Sequence, residues 1–177
     1  MSLGTVAIAA QHCINIPCMA LILSKIESLL EHSTYRESAL KCCFAEAEYP
    51  RKKLVSAIVK QLRSTDVESQ QKVVRLLDMC SHCMQEGARI SVINELIQVL
   101  SRLLQVHYPK SGTHVAEAIA HLVASLAKAS SLCAVMIVRH GVLDCLLSAP
   151  ISELQVHMRD PVLSCLHALS RTSSVIR

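Results

Sequence analysis

The segments Glu117–Cys133 (EAIAHLVASLAKASSLC) and Asp160–Ile176 (DPVLSCLHALSRTSSVI) align without a gap at an offset of 43 residues. Leu126/Leu169, Ser130/Ser173 and Ser131/Ser174 are identical, and Glu117/Asp160, Ile119/Val162, Val123/Leu166, Lys128/Arg171 and Leu132/Val175 keep size and polarity. Both segments therefore present one apolar stripe with polar ends. A repeat of this length holds two or three helices, which cannot bury their apolar faces alone and must stack. The pattern predicts a helical solenoid.

The 3.6-residue period divides the chain into about four helical units separated by Pro, Gly and Ser/Thr signals. The first, from Met19, has Leu23, Ile26, Leu29 and Leu30 on one face, Ser33 or Thr34 as a cap, and Pro50 as its end. In the second, Leu54, Ile58 and Leu62 precede a Ser64-Thr65-Asp66 turn, and Val73, Leu77, Cys80 and Met84 follow it. The third runs from Val92 to Leu104, crosses the polar loop His107–Gly112, and returns from His114 to Lys128. The fourth opens at His140-Gly141, turns at Pro150, and closes with a helix from Asp160 to Arg171 in which Pro161 takes the first helical position.

Composition agrees with helix. Half of the 177 residues are apolar (51%), yet only four are aromatic and none is Trp, so the core must be Leu, Val, Ile, Ala, Cys and Met. Four Gly and five Pro are too few for the frequent turns of a β-sandwich. A chain of this length buries enough surface to need no covalent staples. The nine cysteines fall within helical stripes as small hydrophobes, as at Cys80, Cys83, Cys133, Cys145 and Cys165. Their odd number favours reduced thiols and an intracellular setting, cytoplasmic or nuclear. The apolar N-terminal runs TVAIAA and IPCMALIL are interrupted by Gln11, His12, Asn15 and Pro17, which predicts a buried helix pair and no transmembrane segment. The expectation is one repeat domain over 1–177, complete or part of a longer solenoid.

The units resemble armadillo or HEAT repeats. LVSAIVKQLRSTDVESQQKVVRLLDMCSHC (54–83) is similar to the second-helix, polar-turn, third-helix sequence of an armadillo repeat, and IVRHGVLDCLL (137–147) to its glycine corner between first and second helices. The resemblance covers Met19 to Arg171. It implies an all-α, right-handed α-solenoid whose third helices line a concave face that binds a partner protein. Relatives that bind extended peptides carry ladders of Asn and Trp on that face. This chain has only Asn15 and Asn94 and no Trp, so import-signal binding does not carry over.

On the third helices that the resemblance places in the groove, helical steps of three, four or seven pick out polar stripes. They are Lys72, Arg75, His82 and Glu86; then Glu117, His121 and Lys128; then Ser164, His167 and Arg171. These are the expected partner contacts. A second feature is a basic patch of Arg51, Lys52, Lys53, Lys60 and Arg63. It would suit an acidic peptide, a phosphate backbone or an anionic head group, but the net charge of only +4 and the lack of interleaved aromatics disfavour nucleic acid.

Catalytic signatures are lacking. Cys80-Ser81-His82-Cys83 is the only C-x-x-C, with no second pair at zinc-ribbon spacing, and the nine histidines are scattered. No phosphate-cradling glycine loop, nucleophile elbow or H-E-x-x-H occurs. The reading is a non-enzymatic scaffold or adaptor that needs no cofactor or metal and holds a peptide or amphipathic helix of another protein in a groove. The rivals are a structural segment of a larger helical assembly, including self-association, and a basic module for nucleic acid or membrane surfaces.

Overall fold

Apolar side chains recurring every three or four residues drive the architecture seen in the computed structural model, which describes residues 58–63, 65–81, 86–108, 114–150, 152, 154 and 156–173. Beyond a helical stretch at 58–62, six helices are described: α1 (Val67–Ser81), α2 (Glu86–His107), α3 (His114–Ala129), α4 (Ser131–Arg139), α5 (Val142–Leu146) and α6 (Val156–Ser173). There is no strand among the described residues. The first unit of the sequence reading lies outside them, and so do Arg51, Lys52 and Lys53 of the basic patch and His82 and Cys83 of the second unit.

The third helices stack in file. α3 packs between α1 and α6, its two most extensive partners. Its composition explains how: Ala116, Ala118, Ala120, Ala124 and Ala127 are all buried, and such small side chains let neighbouring axes approach. Between them, Ile119, Leu122, Val123 and Leu126 fill the core, and full burial of one such side chain is worth about 1.5–3 kcal/mol. The repeat register holds in the packing, since Ile119 and Val162, Leu122 and Cys165, and Leu126 and Leu169 are buried at matched positions. Ile58, Leu62, Val73 and Leu77 join the same core.

Helix ends are tied by side chains that satisfy orphan backbone groups. Asp66 precedes α1 and accepts from the Glu68 amide at 3.2 Å and from the Ser69 hydroxyl, so the expected turn cap is realised by Asp66. Ser130 opens α4, accepting from the Cys133 amide at 3.4 Å while its hydroxyl donates to Glu86 Oε1 at 3.1 Å. Arg89 bridges two C-termini, donating from Nε to the Ser81 carbonyl at 3.0 Å and from Nη1 to the Ala129 carbonyl at 3.4 Å.

The structure departs from the expected helix boundaries at three places. The fourth unit opens at Ser131 with α4, not at His140: α4 ends in the His140-Gly141 corner, where Gly141 takes φ +72° and α5 leaves in a new direction. The last helix starts at Val156, so Pro161 lies inside it rather than at its first position. There its ring is buried and the missing amide leaves one helical bond unmade. Glu86 is not on the α1 stripe, because α1 ends at Ser81 and Glu86 begins α2, where it meets Ser130.

The units also differ from one another. Shifted back by the 43-residue repeat, Gly141 falls on Gln98, in the middle of the unbroken 22-residue α2. One unit is thus bent at a left-handed glycine in the armadillo manner. Its predecessor runs straight through the same point, as two-helix repeats do.

Candidate functional site

A polar cleft of about 300 Å³ opens between α1 and α3, lined by Arg75, Asp78, Glu117, Ala118 and His121. It forms because Ala118 puts no bulk between the two helices, while helical spacing brings Arg75 and Asp78 (i, i+3) up against Glu117 and His121 (i, i+4). Glu117 is held from its own helix by His114, whose Nδ1 lies 3.2 Å from Oε2. The His114 ring in turn sits 5.9 Å, centroid to centroid, from that of His157 on α6. Asp78 Oδ1 is buried and has no hydrogen-bond partner among the described residues. An acceptor in that state favours an incoming N–H.

Toward the other neighbour, the Lys128 ammonium donates to Ser164 Oγ at 2.7 Å, linking α3 to α6 across the solvent face. His167 and Arg171 are exposed further along α6. Lys72 is engaged locally, 2.7 Å from Glu68 Oε1 one helical turn away. The stripes therefore meet in two places: Arg75 with Glu117 and His121, and Lys128 with Ser164. Asp78 belongs to the cleft although the sequence did not single it out. It stands three residues after Arg75 on the same helix face, the signal that could have found it.

Of the basic patch, Lys60 and Arg63 are described and exposed. Arg63 lines a separate groove of about 390 Å³ between residues 62–70 and the C-terminal half of α2, where Arg102 and His107 also stand. Cys133 and Cys165 are buried and Cys145 half-buried, all as free thiols. Among the described residues no group of three or more His, Cys, Asp or Glu could hold a metal ion. No described helix is long and apolar enough to cross a membrane.

Comparison with solved structures defines the class by fold. A designed armadillo repeat protein superposes with a TM-score of 0.61 at 12% identity, covering 94% of this chain and 82% of that one. Two engineered proteins from the Northeast Structural Genomics Consortium give 0.58 at 18% identity (94% and 71% covered) and 0.56 at 17% identity (97% and 78% covered). The chain has an armadillo-like repeat fold, helical throughout its described elements. No protein-family model matches it, and neither does any curated protein.

Proposed function

We propose that this protein is an adaptor that holds a segment of a partner protein against its third helices, at the α1–α3 cleft and the Lys128–Ser164 link. The observation that carries this is the unpartnered, buried Asp78 Oδ1 beside Arg75, Glu117 and His121. A carboxylate oxygen there would accept a backbone or side-chain N–H, and Arg75 would take a carbonyl or carboxylate of the same segment. Stacked repeats present such faces as extended binding surfaces. The cleft's mixed charge favours a polar peptide over a phosphate backbone, which would be repelled by Asp78 and Glu117. Against a purely structural role, the face of α6 that corresponds by register to the alanine face of α3 carries Arg159, Leu163, His167 and Ser170, all exposed and mostly polar.

The test is selection of peptides from a displayed random library by the wild-type protein and by a variant combining Arg75→Glu, Lys128→Glu and Arg171→Glu. All three positions are exposed, where substitutions usually shift stability by within about 0.5 kcal/mol each. Peptides selected by wild type should lose at least tenfold in affinity on the folded variant. Equal affinity for both would remove the third helices from the reading.

A further inference from the structure

The groove beside α2 shares no lining residue with the α1–α3 cleft, and its chemistry is different. Val99, Leu103 and Val106 line it at steps of four and three, so α2 offers a straight apolar row along one face. Val106 is 64% exposed, and Val67 faces the row from across the groove at 45%. Val99 and Leu103 form its floor at 6% and 8% exposure, so Val106 and Val67 are the open apolar lip of the groove. The floor is pinned rather than loose, because Gln70 Nε2 donates to the Leu62 carbonyl at 3.1 Å.

The charge around this row is of one sign. Among the lining residues Arg63 and Arg102 carry charge, and no carboxylate is present. Acids on the adjoining turn are already engaged: Asp66 caps α1, and Glu68 holds Lys72. Neither the Arg63 nor the Arg102 guanidinium makes a hydrogen bond or ion pair with another described residue. Apolar floor and cationic rim together specify the occupant's chemistry.

We propose that this groove is a second docking site, for an amphipathic helix of a partner protein that carries Asp or Glu beside its apolar stripe. A helix is the form that matches a linear row at steps of three and four, since its own i, i+3/i+4 ridge packs along such a row. Acidic flanks meet Arg63 and Arg102, and bidentate Arg–carboxylate pairing fixes register. A second copy of the same groove would bring like charges together. Nucleic acid would want aromatic stacking platforms, and none of the lining residues is Phe, Tyr or Trp. The volume is near the lower end of the range for built binding sites, enough for a few side chains rather than a whole domain.

A displayed library of helices with Leu fixed at i, i+3 and i+7 and the remaining positions randomised tests this directly. Selection on wild type should enrich Asp and Glu. The selected peptide should bind at least tenfold more weakly to Arg63→Glu/Arg102→Glu and to Val106→Glu, while the Arg75/Lys128/Arg171 reversal leaves it unchanged, which separates this site from the third-helix reading. Amide chemical shifts of the wild-type protein supply a readout that needs no variant: peptide-induced changes should centre on residues 99–107. Enrichment of Lys and Arg, no charge bias, unchanged affinity in the variants, or shifts centred elsewhere would overturn the proposal. So would displacement of the peptide by oligo-dT or by phosphatidylserine vesicles at lower concentration than by free peptide.

Discussion

The Tyr108 hydroxyl donates a 2.9 Å hydrogen bond to the carbonyl of Leu146, joining the end of α2 to the end of α5 across 38 residues of sequence. The ring is buried at 4% exposure, and the bond satisfies a carbonyl left open at a helix C-terminus. It locks the straight helix of one unit to the bent pair of the next.

Replacing Tyr108 by Phe keeps the ring and removes the donor. The expected cost is about 0.5–1.5 kcal/mol in urea unfolding, the net worth of one neutral hydrogen bond. A variant as stable as wild type would mean that water replaces the hydroxyl without loss.

Leu126, 2% exposed on α3, packs in the middle of the file of third helices. Leu126→Ala should cost about 2–5 kcal/mol through lost burial and the cavity left behind, and Leu77→Ala, at 1% exposure on α1, should cost a similar amount. Circular dichroism melts would show both as lower midpoints with an unchanged native spectrum.

Gly141 makes the α4–α5 corner with φ +72°. A Cβ added there would meet only Asp144 Oδ2 at 3.6 Å, an ordinary contact, so the penalty for Gly141→Ala is backbone strain alone, about 1–2 kcal/mol. Gly141→Asn should cost less, because Asn tolerates this conformation better. Equal losses for the two variants would place the penalty in packing instead.

Alkaline pH should loosen the core in a predictable window. Burial pushes the Cys165 thiol from an ordinary 9.0 up to about 12, against the opposing field of Lys128. Burial raises Cys133 and Tyr108 as well. The folded state keeps protons that the unfolded chain gives up, so this stability is complete below about pH 9 and falls as pH rises toward about 12. Urea midpoints should be lower at about pH 10.5 than at about pH 8, and the difference should be smaller in Cys165→Ala. Identical slopes for the two proteins would remove Cys165 as a source.

Much of this was legible in the linear chain. The stripes at Ile119 and Leu126 and their counterparts at Val162 and Leu169 set the helices, their buried faces and the 43-residue register, because burial of an amphipathic helix is decided by local spacing. The sequence also determines which polar residues share a helix face, so Arg75, Glu117, His121, Lys128 and Ser164 stand out as stripes from spacing alone. Tertiary packing alone decided which of them meet. The Lys128–Ser164 link spans 36 residues, and the cleft that joins Asp78 to Glu117 depends on how closely α1 approaches α3 past Ala118. The same holds for Tyr108, read as part of a polar loop and found in the core, and for the cationic groove at Val106, formed by residues 62–70 and α2 together. Periodicity reports the face a side chain occupies on its own helix; distance and angle between helices come from side-chain volumes summed over both partners, and no single segment carries that sum.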